Sequence, residues 1–109
     1  MTETLIEGWS VSEQEIAREA FARAYARAIA SLTEELRRRT AALSSADGIW
    51  ALHDYLSIER HTIEGRFDFR FEGLLFVFAS LVKDNLLVMD ELAGLNADKL
   101  AKIVAMSRF

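Results

Sequence analysis

From Ser12 to Ala42 the chain carries neither proline nor glycine, and its apolar residues recur in helical steps. Ile16, Ala20, Phe21, Ala24, Tyr25, Ala28, Ile29, Leu32 and Leu36 follow one another at three- and four-residue intervals, the spacing of one helix face. Nothing interrupts this pattern before SSADG at residues 44–48. SEQE at Ser12–Glu15 fits a capping box that would start the helix. Roughly 32 residues at 1.5 Å each give a rod of about 48 Å. A compact chain of this size has a radius of gyration of about 13 Å, so the rod overhangs whatever the remaining residues build alone. Its stripe, with Ala20, Ala24 and Ala28 permitting close approach, asks for more cover than one copy supplies. The expectation is a homodimer.

Proline is absent from all 109 residues, and Ala, Leu, Glu and Arg are abundant. An all-α fold follows, as one domain over residues 1–109. Hydrophobic residues make up 51%, enough for a core. No apolar run reaches the roughly 18 residues of a membrane span, and MTETLIEGWS does not read as a signal peptide. With no cysteine there is no disulfide or thiolate chemistry. A net charge of −4 argues against general nucleic-acid binding. The basic run Arg37–Arg39 reads as a solvated face paired to Glu34 and Glu35 four residues before Arg38 and Arg39.

A second helix is expected from a cap at Ser45 or Asp47 to about Glu64, with Gly65 as its stop. Ile49, Leu52, Leu56 and Ile63 form its apolar side. With the first helix it makes an elongated antiparallel hairpin stem over residues 12–64, and residues 66–109 make a small helical head. RFDFRFE at 66–72 alternates as a strand does, but no other segment alternates to pair with it. A helical reading is preferred, with Phe67, Phe71, Leu74, Leu75, Phe78, Leu81 and Val82 as a stripe and Phe69 and Phe76 together on the opposite face. Asp84-Asn85 reads as a break, LLVMDELAG as a short helix ending at Gly94, and Asn96 as the cap of a last helix. That helix buries Leu100, Ile103 and Val104 and turns Lys99 and Lys102 outward.

WALHDYLSIERH at residues 50–61 places Trp50, His53, Asp54, Ser57, Arg60 and His61 on the polar side of the second helix. His53 and His61 stand about 12 Å apart along the axis, too far to share an ion with bonds of about 2 Å. His61 and Glu64 alone make a poor metal site. Asp54 follows His53 directly and points about 100° away, so it does not readily orient that ring for acid–base work. There is no phosphate loop or nucleophile motif. Two readings remain from the residues. One is a protein–protein surface, with Trp and Arg as hot-spot types. The other is Trp50 packed in a dimer and Arg60 paired to Asp54 or Glu64.

The pattern WxxHDxLSxxRHxIxGxxD from Trp50 to Asp68, followed by LLFVFASLVKDNLL and DELAGLNADKLAKI, resembles the fluorescence recovery proteins of cyanobacteria. The resemblance implies an all-helical dimer with an elongated hairpin and a compact head. It implies a non-enzymatic regulator without cofactor or metal. Its partner would be the orange carotenoid protein, bound chiefly through the C-terminal domain. It would speed that photoreceptor's return from the red to the orange form, detach it from the phycobilisome, and so restore antenna fluorescence. The family's functional cluster falls on Trp50, His53, Asp54 and Arg60, with Phe76 and Lys102 in the head. Trp50 and Arg60 would be anchors, with Asp54 partly holding Arg60. The dimer seam falls on Ile49, Leu52 and Leu56. A cytoplasmic place is implied, peripheral to the thylakoid through the partner. The alternative is a homologue of the same fold serving another protein partner.

Overall fold

The computed structural model describes residues 6–109. Helix α1 runs Val11–Ala41, α2 Ala46–Arg66, α3 Leu74–Lys83 and α4 Ala97–Met106, with 3₁₀ turns at Phe71–Gly73 and Met89–Leu92. Among the described residues no strand forms. The fold is all-α, as expected.

Helix α1 is capped two residues earlier than the expected Ser12. The Ser10 hydroxyl accepts from Glu13 N–H at 3.1 Å, and Ser10 N–H donates to Glu13 Oε1 at 3.1 Å. Ser10–Glu13 and Ser12–Glu15 both fit the box, and a tertiary contact decides between them. The other Glu13 oxygen accepts the Asn96 N–H at 2.9 Å, and Lys99 Nζ lies 3.2 Å from both Glu13 oxygens. Lys99 also donates to the Gly8 carbonyl and sits 4.8 Å from the Trp9 ring centre. It is therefore buried, not outward as the sequence suggested. Four residues before fully buried Ile103, it belongs to the inner face of α4.

Burial pushes the Glu13 carboxyl up, but hydrogen bonds from Ser10 and Asn96 and the Lys99 ammonium outweigh it, holding it below its ordinary value. Lys99→Met leaves that carboxylate buried without its cation. The expected loss is about 3 kcal/mol of stability, read as a lower urea midpoint. Glu13→Gln added to Lys99→Met should recover part of it.

The segment after α2 corrects the helical reading of residues 66–72. Residues 67–70 are not helical, and Phe67, Phe69 and Phe71 alternate along them onto α1. Phe21 meets Phe67 and Phe69 edge-on with ring centres 5.5 and 5.0 Å apart. Phe69 meets Phe71 at 5.1 Å, and Phe71 meets Trp9 at 5.1 Å. Asp68 and Arg70, between these rings, pair with each other. An alternating segment needs no partner strand when a helix receives its side chains. Phe69 and Phe76 consequently do not share a face: Phe69 packs on the core and Phe76 is 70% exposed.

The head core joins Leu74, Phe78, Ala79 and Leu81 of α3 to Leu87, Leu92, Leu95 and Ile103, and to Ala17, Ala20 and Ala24 of α1. Asn85 makes the expected break with φ +60, a conformation asparagine tolerates. Gly94 has φ +106, and a Cβ there would lie 2.4 Å from Ile16 Cδ1, so only glycine lets this turn reach α1. Arg27 braces the 3₁₀ turn with two bonds to Glu91, 2.6 and 2.7 Å, and one to the Leu86 carbonyl. The Arg27 hydrogen bond chiefly holds the Glu91 carboxyl down from 4.5 to about 2. A depressed carboxylate stabilises the fold above its unfolded value and loses that contribution as pH falls through the folded one. Melting temperature should therefore drop as pH falls from 4.5 toward 2. Glu91→Gln should melt lower at neutral pH and flatten part of that slope.

Beyond Ala24, α1 buries no side chain, and α2 buries none at all. The two helices run antiparallel, tied by Arg39 over the Tyr55 ring at 3.7 Å and by the Tyr25–Phe67 contact at 5.2 Å. The radius of gyration is 17.3 Å and the longest extent 53 Å, well beyond the roughly 13 Å radius of a compact chain. Own-head packing covers Ala20 and Ala24, while Ile29, Leu32, Leu36, Leu52 and Leu56 stay only half-buried.

Candidate functional site: the outward face of α2

Helix α2 starts at Ser45, whose hydroxyl accepts from Gly48 N–H at 3.1 Å. It runs past Gly65 to Arg66, because Phe67 N–H still donates to the Ile63 carbonyl at 2.9 Å and Arg66 pairs with Asp84. Gly65 is thus not its stop.

The outward face is built by the helical repeat. Relative to Trp50, Asp54 lies about 40° round the axis, His53 about 60° and Arg60 about 80° to the other side. Trp50 is 65% exposed, and the His53, Asp54 and Arg60 side chains are 74%, 78% and 81% exposed. A tryptophan left in water forgoes one of the largest burial gains any side chain offers, so its exposure here needs a reason outside the protomer. His53 Nδ1 stands 3.4 Å from Asp54 Oδ1. The two adjacent side chains do meet, at a length too great for a firm hydrogen bond.

Arg60 is held by Glu64, not Asp54: its Nε donates to Glu64 Oε1 at 2.8 Å. That bond holds the guanidinium above its ordinary value. An i,i+4 pairing of this kind was open to sequence reading. Ile58, 65% exposed on the same helix, escaped it. The signal was its position outside the apolar stripe.

Of the expected seam residues, Ile49 is 50% exposed and Leu52 and Leu56 are half-buried. In the head, Phe76 of α3 and Lys102 of α4 line one groove of about 550 Å³, floored by Trp9, Phe71, Leu75 and Met106. Lys102 pairs with Asp98 at 3.1 Å. The Arg37–Arg39 run pairs as expected in sign but partly at shorter spacing. Arg37 meets Glu34, Arg38 meets Glu35 three residues back, and Arg39 lies 3.7 Å from Glu35. Among the described residues no helix is long and apolar enough to cross a membrane.

The sequence profile described as photoprotection regulator fluorescence recovery protein matches residues 9–107. The fluorescence recovery protein of Synechocystis sp. is 38% identical over 108 residues, 99% of either chain. The solved structure of the Fremyella diplosiphon fluorescence recovery protein superposes with a TM-score of 0.88 at 46% identity, covering 93% of this chain and 99% of that one. The structure of the protein from Synechocystis sp. PCC 6803 gives 0.88 at 39% identity, with the same coverage.

Proposed function

Because this chain belongs to the fluorescence recovery protein family, whose members are photoprotection regulators, we propose that it acts on the orange carotenoid protein. It binds the light-activated red form, chiefly through that protein's C-terminal domain. It accelerates return to the orange form and promotes detachment from the phycobilisome, so that antenna fluorescence recovers. The observation that carries this reading is the pairing of Trp50, 65% exposed, with an 81% exposed Arg60 on one face of α2. An aromatic and a guanidinium, about 15 Å apart along one exposed helix face, are residue types enriched in binding hot spots. His53 and Asp54 supply directional polar contacts at its edge. Phe76 and Lys102, sharing one head groove, form a second contact.

The protein works as a homodimer over residues 1–109, its seam running along Ile49, Leu52 and Leu56. The thinly covered stem supports this: α1 beyond Ala24 and all of α2 contain no fully buried residue in one protomer.

An accelerator released unchanged leaves the red–orange equilibrium where it was. It must therefore hold the closing transition state more tightly than the red form and hold the orange form weakly. Tenfold acceleration needs only about 1.4 kcal/mol of such preference, within reach of a few contacts around Trp50 and Arg60. One subunit grips the C-terminal domain, and the head or second subunit guides the other domain back. Titration against the isolated C-terminal domain and against the intact orange form tests this. Tight binding to the first and weak binding to the second is expected. Equal affinity for both, or none for the domain, overturns it.

A further inference from the structure

Glu64 holds Arg60, yet the pair does little for the helix it stands on. The bond runs from Arg60 Nε to Glu64 Oε1 at 2.8 Å, between side chains that are 81% and 62% exposed. Exposed pairs of this kind contribute little to stability. The order here is also the weaker one, with the cation four residues before the anion. Glu64 lies in the last turn of α2, which ends at Arg66, and the helix dipole disfavours a carboxylate there. Glutamine would suit the helix at least as well.

Around Arg60, however, Glu64 has no substitute. The residues three and four positions from Arg60 on α2 are Leu56, Ser57, Ile63 and Glu64, and of these only Glu64 is charged. Across the stem cleft that Arg60 borders, α1 offers Tyr25, Ile29 and Leu32. Asp54 lies about 120° round the helix from Arg60 and stands 3.4 Å from His53 instead. The bond to Glu64 takes one of the five guanidinium donors. Among the described residues neither Nη atom of Arg60 makes a bond. A partner can therefore take both Nη groups without displacing Glu64. An arginine free in water visits many rotamers, and ordering it on binding lowers affinity. One tied at Nε has lost part of that freedom beforehand.

We propose that Glu64 is a positioning residue for recognition of the carotenoid protein, acting through Arg60 and making no contact of its own with that partner. It tethers Nε and leaves the Nη groups for an oxygen acceptor on the C-terminal domain. The inference rests on the function proposed above and deepens the role of Arg60 in it.

The test is a double-mutant cycle. Affinity for the isolated C-terminal domain is measured for wild type, Glu64→Gln, Arg60→Leu and the double variant, with melting temperature and oligomeric state read on the same samples. Glu64→Gln is expected to melt at or above the wild-type temperature and keep its oligomeric state, yet bind about fivefold more weakly. Arg60→Leu should bind roughly thirtyfold more weakly. In that background Glu64→Gln should change nothing further, because the residue it acts through is gone. Wild-type or tighter binding by Glu64→Gln overturns this inference and leaves the function standing. An equal loss with and without Arg60 sets Glu64 itself against the partner and also overturns it. So does a change of oligomeric state in Glu64→Gln, which would place the pair between two copies. Wild-type affinity in Arg60→Leu removes the anchor and this inference with it. Failure of the wild type to bind removes the proposed function as well.

Discussion

Arg60→Leu is expected to abolish acceleration of the carotenoid protein's recovery while leaving the fold unchanged. The side chain is 81% exposed, and its ion pair with Glu64 is a surface pair within one helix. Such pairs contribute about 0–1 kcal/mol to stability, so helix content and melting temperature should stay near wild type. Leucine keeps much of the aliphatic arm that lines the cleft beside Tyr25, Leu56 and Ile63, so stem packing survives. What disappears is the guanidinium on the same helix face as Trp50, about 15 Å along the axis. Loss of a hot-spot residue costs about 2 kcal/mol or more, roughly a thirtyfold fall in affinity. Circular dichroism and a recovery trace on the same sample check both halves. A variant that accelerates like wild type would remove Arg60 from the anchor role.

The second large effect concerns assembly. Ile49→Glu should convert the proposed dimer to monomers. Ile49 is 50% exposed in the protomer and outside its core, so glutamate there leaves the single chain folded. In a two-fold dimer each substitution appears twice, on a self-complementary seam. An unpaired charge buried there costs several kcal/mol per site, enough to raise the dissociation constant by about a thousandfold. Sedimentation at micromolar concentration reads the result directly. A dimer persisting at wild-type strength would move the seam away from Ile49.

Much of this fold is legible in the sequence. Helix α1 was visible in its unbroken three-four spacing, and α2 and α4 in their spacing and in the caps Ser45 and Asn96. The elongated shape followed from the length of α1. The common outward face of Trp50, His53, Asp54 and Arg60 follows from the helical repeat alone, because nothing tertiary competes for it. The misreadings share one cause, which is contact between residues distant in sequence. Ser10 displaced Ser12 as the cap because Glu13 also answers Asn96 and Lys99 across the head. Residues 67–70 left the helix because Phe21, Tyr25 and Trp9 receive Phe67, Phe69 and Phe71. Phe76 and Lys102 meet in one groove only because α3 and α4 pack together. No local pattern encodes such partners.

The proposed return of the carotenoid protein to its orange form is decided by a recovery trace. The photoreceptor is driven to its red form by blue light, and its dark return is followed by absorbance with and without a substoichiometric amount of this protein. The expected result is a faster return carried to the same endpoint, since a catalyst of closure turns over and leaves the equilibrium in place. An unchanged trace with the folded protein present would contradict it, and would point to a different partner for the α2 face.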